Sequence, residues 1–285
     1  MRRELGRLFY GRHPVSHRMN LELPPAPRGD VITIHDVVAW RFPDESPPVP
    51  AAAEEARRAA AVICVSEFSA SEAQDLLGIG DPHVVHNGVD TAFFDATPHD
   101  STTLKQWGIE RRYVLHAGGA ARRKNLEALA AAWPLVRAAR PDLDLVLAGP
   151  PHRRRTDLFA SLPGTHLVGR LADQAVPGLV AAASVVVIPS LYEGFGLPAL
   201  EAMAAGVPVV AAATSSLPEV VGDGGLLVEP TGDAIAEGII DATSDHAGLT
   251  TMVAAGRARA RQFTWERSAR EHARIWASVG LAPPA

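Results

Sequence analysis

Hydrophobic positions in this chain fall into short unbroken runs rather than an alternation of apolar and polar residues. The runs are VITIH (31–35), AVICVS (61–66), HVVHN (83–87), YVLHAGG (113–119), LDLVLAG (143–149), THLVG (165–169), VVVIPS (185–190), VPVVAA (207–212) and GLLVEP (225–230). Short, largely apolar runs of this kind predict strands, and VVVIPS (185–190) is apolar and β-branched enough for one buried on both faces, as in a parallel sheet. Alanine- and leucine-rich stretches of helical character lie between them. That alternation from residue 30 onward predicts an α/β fold. One such stretch is NLEALAAAWPLVRAAR (125–140), where Pro134 is expected to kink or interrupt the helix. Another begins near Pro198 and is closed by Gly206 and Pro208. About eight residues long, it spans roughly 12 Å. The C-terminal segment FTWERSAREHARIWASVG (263–280) carries Trp265, Ala269, Ala273, Ile275 and Trp276 at helical spacing, which predicts an amphipathic helix with its aromatics in a core.

With 285 residues, 47% of them hydrophobic, the chain has room for two domains. A polar span from Thr91 to Arg111 separates two apolar series and marks the expected boundary. The expected parts are 1–108, 109–267 and a terminal helix, 268–285, packing back toward the first. The second part has enough alternating elements for a complete doubly wound nucleotide-binding unit. The first is expected to be incomplete, with about three strands and no glycine-rich strand-to-helix turn.

A net charge of −5 argues against nucleic-acid binding by broad phosphate neutralisation. Cys64 is the sole cysteine, so disulfides within the chain are excluded and nothing suggests structural zinc. No run approaches 18 apolar residues and no signal-peptide core is present, which points to a cytoplasmic location. The arginine-rich opening MRRELGRLFYGR, with Leu5, Leu8, Phe9 and Tyr10, suits peripheral contact with an anionic membrane face. An ordinary surface helix is the alternative.

The densest chemistry lies in PSLYEGFGLPALEAMAAGVPVVAA (189–212). Gly194 and Gly196 permit a tight turn whose backbone can approach a ligand, and the helix that follows opens with unpaired N–H groups suited to a diphosphate. Glu201 could accept hydrogen bonds from ribose hydroxyls, and Glu193 from a sugar. Alternatively, Glu201 is a solvated helix residue. After YVLHAGG come Arg122, Arg123 and Lys124 at a helix start, cations beside free amides that suit the same diphosphate, or else a solvated basic turn. His35 ends the strand VITIH, where α/β enzymes place reactive side chains, and Asp36 is expected to cap the next turn. Glu219 is expected to support the pocket. HExxH, GxSxG and P-loop motifs are missing, which favours a metal-free transferase or binding site over a hydrolase or kinase.

Taken in order, TIHDVVAWRFPDE, ICVSEFSASEAQDLLGI, VVHNGVD, HAGGAARRKNLEAL, PSLYEGFGLPALEAMAAGVPVV and SLPEVVGDGGLLVEP resemble family 4 retaining glycosyltransferases of the GT-B fold. Within that family the HD pair and RKN look like mannosyl- or rhamnosyltransferases of polysaccharide assembly. The resemblance implies two Rossmann-like domains facing a cleft and a nucleoside diphosphate sugar as donor substrate. It implies a glycan or lipid-linked acceptor, and no metal or other cofactor. Carried over by position, it implies donor contacts from Gly118, Gly119, Arg123, Lys124, Glu193, Gly194, Phe195, Gly196, Leu197 and Glu201, with His35 and Glu193 as catalytic residues.

Two departures stand out. Relatives carry a longer segment ahead of the HD pair, whereas only 34 residues precede His35 here. The shortened front is expected to expose an apolar sheet edge and face, a liability for solubility or an invitation to a partner chain that completes the domain. The residue after the first glycines, often arginine in relatives, lies here within GGAA. A non-catalytic relative that binds nucleotide sugar as a subunit is therefore the rival reading, and a nucleotide-sugar 2-epimerase is a further one that EGFGLPALEAM opposes.

Overall fold

Every predicted apolar run forms a strand in the computed structural model, which describes residues 2–11, 13–244 and 247–281. Met1 and Arg12 of the arginine-rich opening, and the last four residues, lie outside those described. The strands are β1 (Ser16–Arg18), β2 (Asp30–Ile34), β3 (Ala61–Cys64), β4 (His83–Val84), β5 (Arg112–Ala117), β6 (Leu143–Ala148), β7 (Thr165–Gly169), β8 (Val185–Ile188), β9 (Val209–Ala212) and β10 (Leu226–Val228). All pair in parallel.

The chain divides into two compact units, Met1–Gly88 with Trp265–Ala285, and Val89–Thr264. The first break thus falls between Gly88 and Val89, ahead of the expected 108. The polar stretch from Thr91 belongs to the second unit, where Asp90 and Asp100 cap the short helices Thr91–Phe94 and Ser101–Lys105. The second break falls between Thr264 and Trp265, close to the expected 267.

In the first unit the sheet order is β1-β2-β3-β4. Because successive side chains of a strand point to opposite faces, Ile32 and Ile34 pack with Cys64, Ala73 and Leu77 on one side, beneath the helix Glu67–Leu77. Val31 packs with Ala61, Ile63, Val85 and Ile275 on the other, beneath the helix Trp265–Leu281. Burial raises the Cys64 thiol to about 12, which makes it an inert core residue. The expectation that the aromatics of the terminal helix are core residues is corrected. Ile275 is buried, but Trp265 is 50% and Trp276 39% exposed, and Trp276 donates from its indole to His17 Nδ1 at 3.3 Å.

Strand β1 has no apolar pattern and was not among the predicted strands. It is held by charge, since Arg18, fully buried, donates to both carboxylate oxygens of Asp30 on β2 (2.9 and 2.8 Å) and to the Leu23 carbonyl at 2.9 Å. The opening helix Arg2–Tyr10 is tied inward by Arg2 to Glu55 and turns Leu5, Leu8 and Phe9 outward.

The second unit has the order β10-β9-β8-β5-β6-β7. Numbered within the unit this is 6-5-4-1-2-3, the doubly wound arrangement whose order reverses between β5 and β8. One face of the sheet is covered by the helices Leu126–Ala139 and Gly232–Ala242, whose Leu129, Trp133, Val136, Ile235 and Ile239 pack on Val114, Leu145, Val185 and Val210. The helix Leu126–Ala139 runs through Pro134, so of the two expected effects the interruption does not occur. Trp133 and Val136, both fully buried, hold the turn on either side of it.

Candidate active site

The loops that follow β5 and β8 lie at the point where the strand order reverses, where open α/β sheets leave a crevice at the carboxyl ends of their strands. After β5 the chain passes through Gly118 and Gly119 into a short turn, Arg122–Lys124, and Asn125 then begins the helix Leu126–Ala139 from a left-handed backbone, φ 53°. The Asn125 side-chain amide donates to the carbonyls of Pro189, after β8, and Pro230, after β10, both at 3.0 Å. One polar side chain thereby ties three loops together.

Glu193 is the centre of the site. Its carboxylate accepts from Lys124 Nζ at 2.7 and 2.8 Å and from Ser190 Oγ at 2.7 Å, with Arg123 Nη1 3.7 Å away. Its backbone N–H donates to Ser215 Oγ at 3.0 Å, and its carbonyl accepts from Ser216 Oγ at 2.9 Å. Two cations around one carboxylate leave the cluster with a net positive charge, which favours a diphosphate. Glu193 is only 7% exposed, so its carboxylate is held largely by the protein's own donors.

The turn Gly194–Gly196 leads into the helix Leu197–Ala204. Gly196 has φ 104°, a backbone that favours glycine, and a Cβ there would press on the end of the Leu217 side chain at 2.8 Å. The Phe195 ring is buried edge-on against Phe263 at 5.8 Å, leaving only its backbone for a ligand. The Glu201 carboxyl, just after the first turn, has no hydrogen-bond or ion-pair partner among the described residues. Burial, with Asp90 adding repulsion, pushes its carboxyl up to about 7. On β5, His116 Nδ1 lies 3.2 Å from the Val187 carbonyl and therefore carries the proton, while its buried Nε2 has no partner among the described residues. Burial lowers this imidazole to about 4, so it is neutral near pH 7.

The structure brings Gly118, Gly119, Arg123, Lys124, Glu193, Gly194, Phe195, Gly196, Leu197 and Glu201 into one unit, on the loops after β5 and β8. His35 lies in the other unit, directly after β2. Asp36 caps the next turn there as expected, accepting from Val38 N at 3.1 Å. Partial burial is the main cause that lowers the His35 imidazole.

Residues 111–245 match the family model described as Glycosyl transferases group 1, and residues 21–93 match Glycosyltransferase Family 4. The O-antigen chain mannosyltransferase B of Escherichia coli is 33% identical over 273 residues, covering 88% of this chain and 71% of that protein. The chain belongs to the family 4 glycosyltransferases. A GDP-mannose-dependent α-(1-6)-phosphatidylinositol dimannoside mannosyltransferase of Mycobacterium tuberculosis is 32% identical to the transferase over 212 residues, 73% of this chain and 55% of that one. Among solved structures, the sucrose-phosphate synthase of Thermosynechococcus elongatus superposes with a TM-score of 0.77 at 23% identity, covering 96% of this chain and 75% of that one. Anabaena HepE, solved in complex with UDP and glucose, gives 0.73 at 23% identity over 87% and 71% of the two chains. These likenesses show the fold, an α/β architecture with parallel sheets of GT-B type.

Sequence reasoning missed several supports of the transferase site. Asn125 was visible in RKN, and a residue that tolerates a left-handed backbone at a helix start was the signal for it. Ser190, Ser215 and Ser216 carried none, because a serine's partner is decided by which loops meet. The Glu219 backbone carbonyl accepts from Arg259.

Proposed function

We propose that this transferase moves a hexose, in the first instance mannose, from a nucleoside diphosphate sugar to a glycan or lipid-linked acceptor, retaining the anomeric configuration and using no metal. The observation that carries the reading is the Lys124–Glu193 pair, 2.7 Å apart between the loops that end β5 and β8. Cation and carboxylate are thus fixed together where a doubly wound sheet receives its ligand. Lys124 and Arg123 supply the positive charge that a departing diphosphate requires, the task a metal ion performs elsewhere. Glu193 accepts from hydroxyls of the transferred sugar and Glu201 from those of the ribose. His35 hydrogen-bonds the transferred sugar.

In the proposed step the acceptor hydroxyl oxygen bonds to the anomeric carbon on the face from which the diphosphate departs. The carbon–oxygen bond to the diphosphate breaks, and the hydroxyl proton passes to the departing phosphate oxygen. No protein nucleophile is consumed. The names of the mannosyltransferase relatives support mannose as the first sugar to test.

The first experiment is a thermal-shift comparison of UDP, GDP, ADP and dTDP, where a ligand at about 100 times its Kd adds roughly 2.7 kcal/mol. Transfer from the matching nucleotide sugar is then assayed with and without a chelator. A cooperative melt that no nucleotide moves would sink the reading. Stabilisation without transfer to any acceptor is what a non-catalytic binding subunit would give.

A further inference from the structure

Beneath the loop after β5 lies a buried arrangement that the proposed donor contacts leave unused. Arg155, in the helix Arg153–Phe159 after β6, is 3% exposed. Its Nη1 donates to the Pro150 carbonyl at 3.0 Å and its Nη2 to the Gly118 carbonyl. Gly149 closes on the same oxygen. It has φ 138°, and a Cβ there would stand 2.0 Å from Gly118 O, so only glycine lets the two loops approach this closely. The Gly118 N–H is also committed, donating to the Ala148 carbonyl at 3.0 Å.

The carbonyl and N–H of one trans peptide point in opposite directions. A Gly118 carbonyl drawn into the interior by a buried guanidinium therefore turns the Gly119 N–H away from it. That N–H has no partner among the described residues. Glycines at 118 and 119 would otherwise leave this peptide free to adopt either orientation.

We propose that Arg155 is a positioning residue of the donor site, fixing the Gly118–Gly119 peptide so that the Gly119 N–H faces the diphosphate. Arg155 does not touch the ligand; it acts through one carbonyl. The inference rests on the donor reading above.

The test compares Arg155→Met and Arg155→Lys with the wild type, measuring calorimetric affinity for the nucleoside diphosphate that stabilises the wild type, and for the corresponding nucleoside by competition. Arg155→Met is expected to weaken the diphosphate about tenfold, the scale of one hydrogen bond to a charged group, and to leave the nucleoside within about twofold. In transfer assays it raises the donor KM and leaves the acceptor KM alone. Arg155→Lys, which retains a donor for the Gly118 carbonyl, recovers most of the loss. Gly119→Pro removes the N–H itself at a position where a Cβ meets nothing within 4 Å. It should reproduce the selective loss, and if Arg155→Met does not fold, an undiminished diphosphate affinity in Gly119→Pro still overturns the inference. Equal loss of diphosphate and nucleoside, or no loss in either variant, overturns the inference while leaving the donor reading in place. A wild type that binds no nucleoside diphosphate overturns both.

Discussion

Lys124 Nζ reaches both carboxylate oxygens of Glu193, at 2.7 and 2.8 Å, across 69 positions of sequence. Because the acid is nearly enclosed, replacing it removes more than a ligand contact. Glu193→Ala leaves Lys124 without its counter-charge, and loss of one partner from a buried pair costs about 3–5 kcal/mol. Since Lys124 keeps some solvent contact, the lower end is expected here, together with loss of transfer. Lys124→Ala should likewise abolish transfer. Urea melts and initial rates check both, and a Glu193→Ala protein with wild-type activity would remove this residue from the site.

Two groups in the same unit, Glu201 partly and His116 fully buried, make opposite contributions to stability against pH. Glu201, raised from 4.5 to about 7, binds its proton more tightly folded than unfolded. Its contribution is therefore fully present below about pH 4.5 and is lost as pH rises to 7, on the order of 3 kcal/mol in all. His116, lowered from 6.5 to about 4, binds its proton less tightly when folded. Its contribution is present above about pH 6.5 and is lost as pH falls toward 4. Glu201→Gln should therefore flatten the decline in stability between pH 5 and 7, as read from denaturation midpoints at each pH. An unchanged profile in that variant would show that Glu201 titrates as an ordinary surface carboxyl.

Asn125→Ala removes two hydrogen bonds that join the loops after β5, β8 and β10, and places alanine at φ 53°. The expected cost is about 2–3 kcal/mol, from the two bonds and the left-handed backbone. Asn125→Gly relieves the backbone part only and should recover about 1 kcal/mol. Equal stability of the two variants would mean that the hydrogen bonds alone account for the loss.

His35 gives a different signature. Its replacement by alanine is expected to lower kcat while leaving nucleoside diphosphate affinity unchanged, because it is assigned to the transferred sugar and not to the nucleotide. Calorimetry with the nucleotide and steady-state rates separate the two. A parallel loss of nucleotide binding would place His35 elsewhere in the chemistry.

The nine apolar runs were legible because the strands of a parallel sheet are largely apolar, most fully in the central strands such as β8 and β9, which are buried along their whole length. Strand β1 was not legible. Ser16, His17 and Arg18 show no apolar pattern, and the strand exists because Arg18 finds Asp30 and a carbonyl that only the folded chain brings near. Pro134 reads locally as a break, yet the packing of Trp133 and Val136 keeps the helix whole. The unit boundary was misplaced for a related reason: polarity from Thr91 onward marks solvent exposure, which a domain's own surface shares with a linker.

Sequence by itself determined the parallel α/β class, the glycine turn before Leu197, and the cations at 122–124, since each depends on residue type and short-range spacing. Tertiary structure alone decided that the loops after β5 and β8 flank the reversal of strand order, that Glu193 is buried under Lys124 and Ser190, and that Arg155 reaches the Gly118 carbonyl. Those pairings join residues far apart in the chain. A charged or polar side chain carries no local mark of its partner; the sheet that positions both creates the interaction.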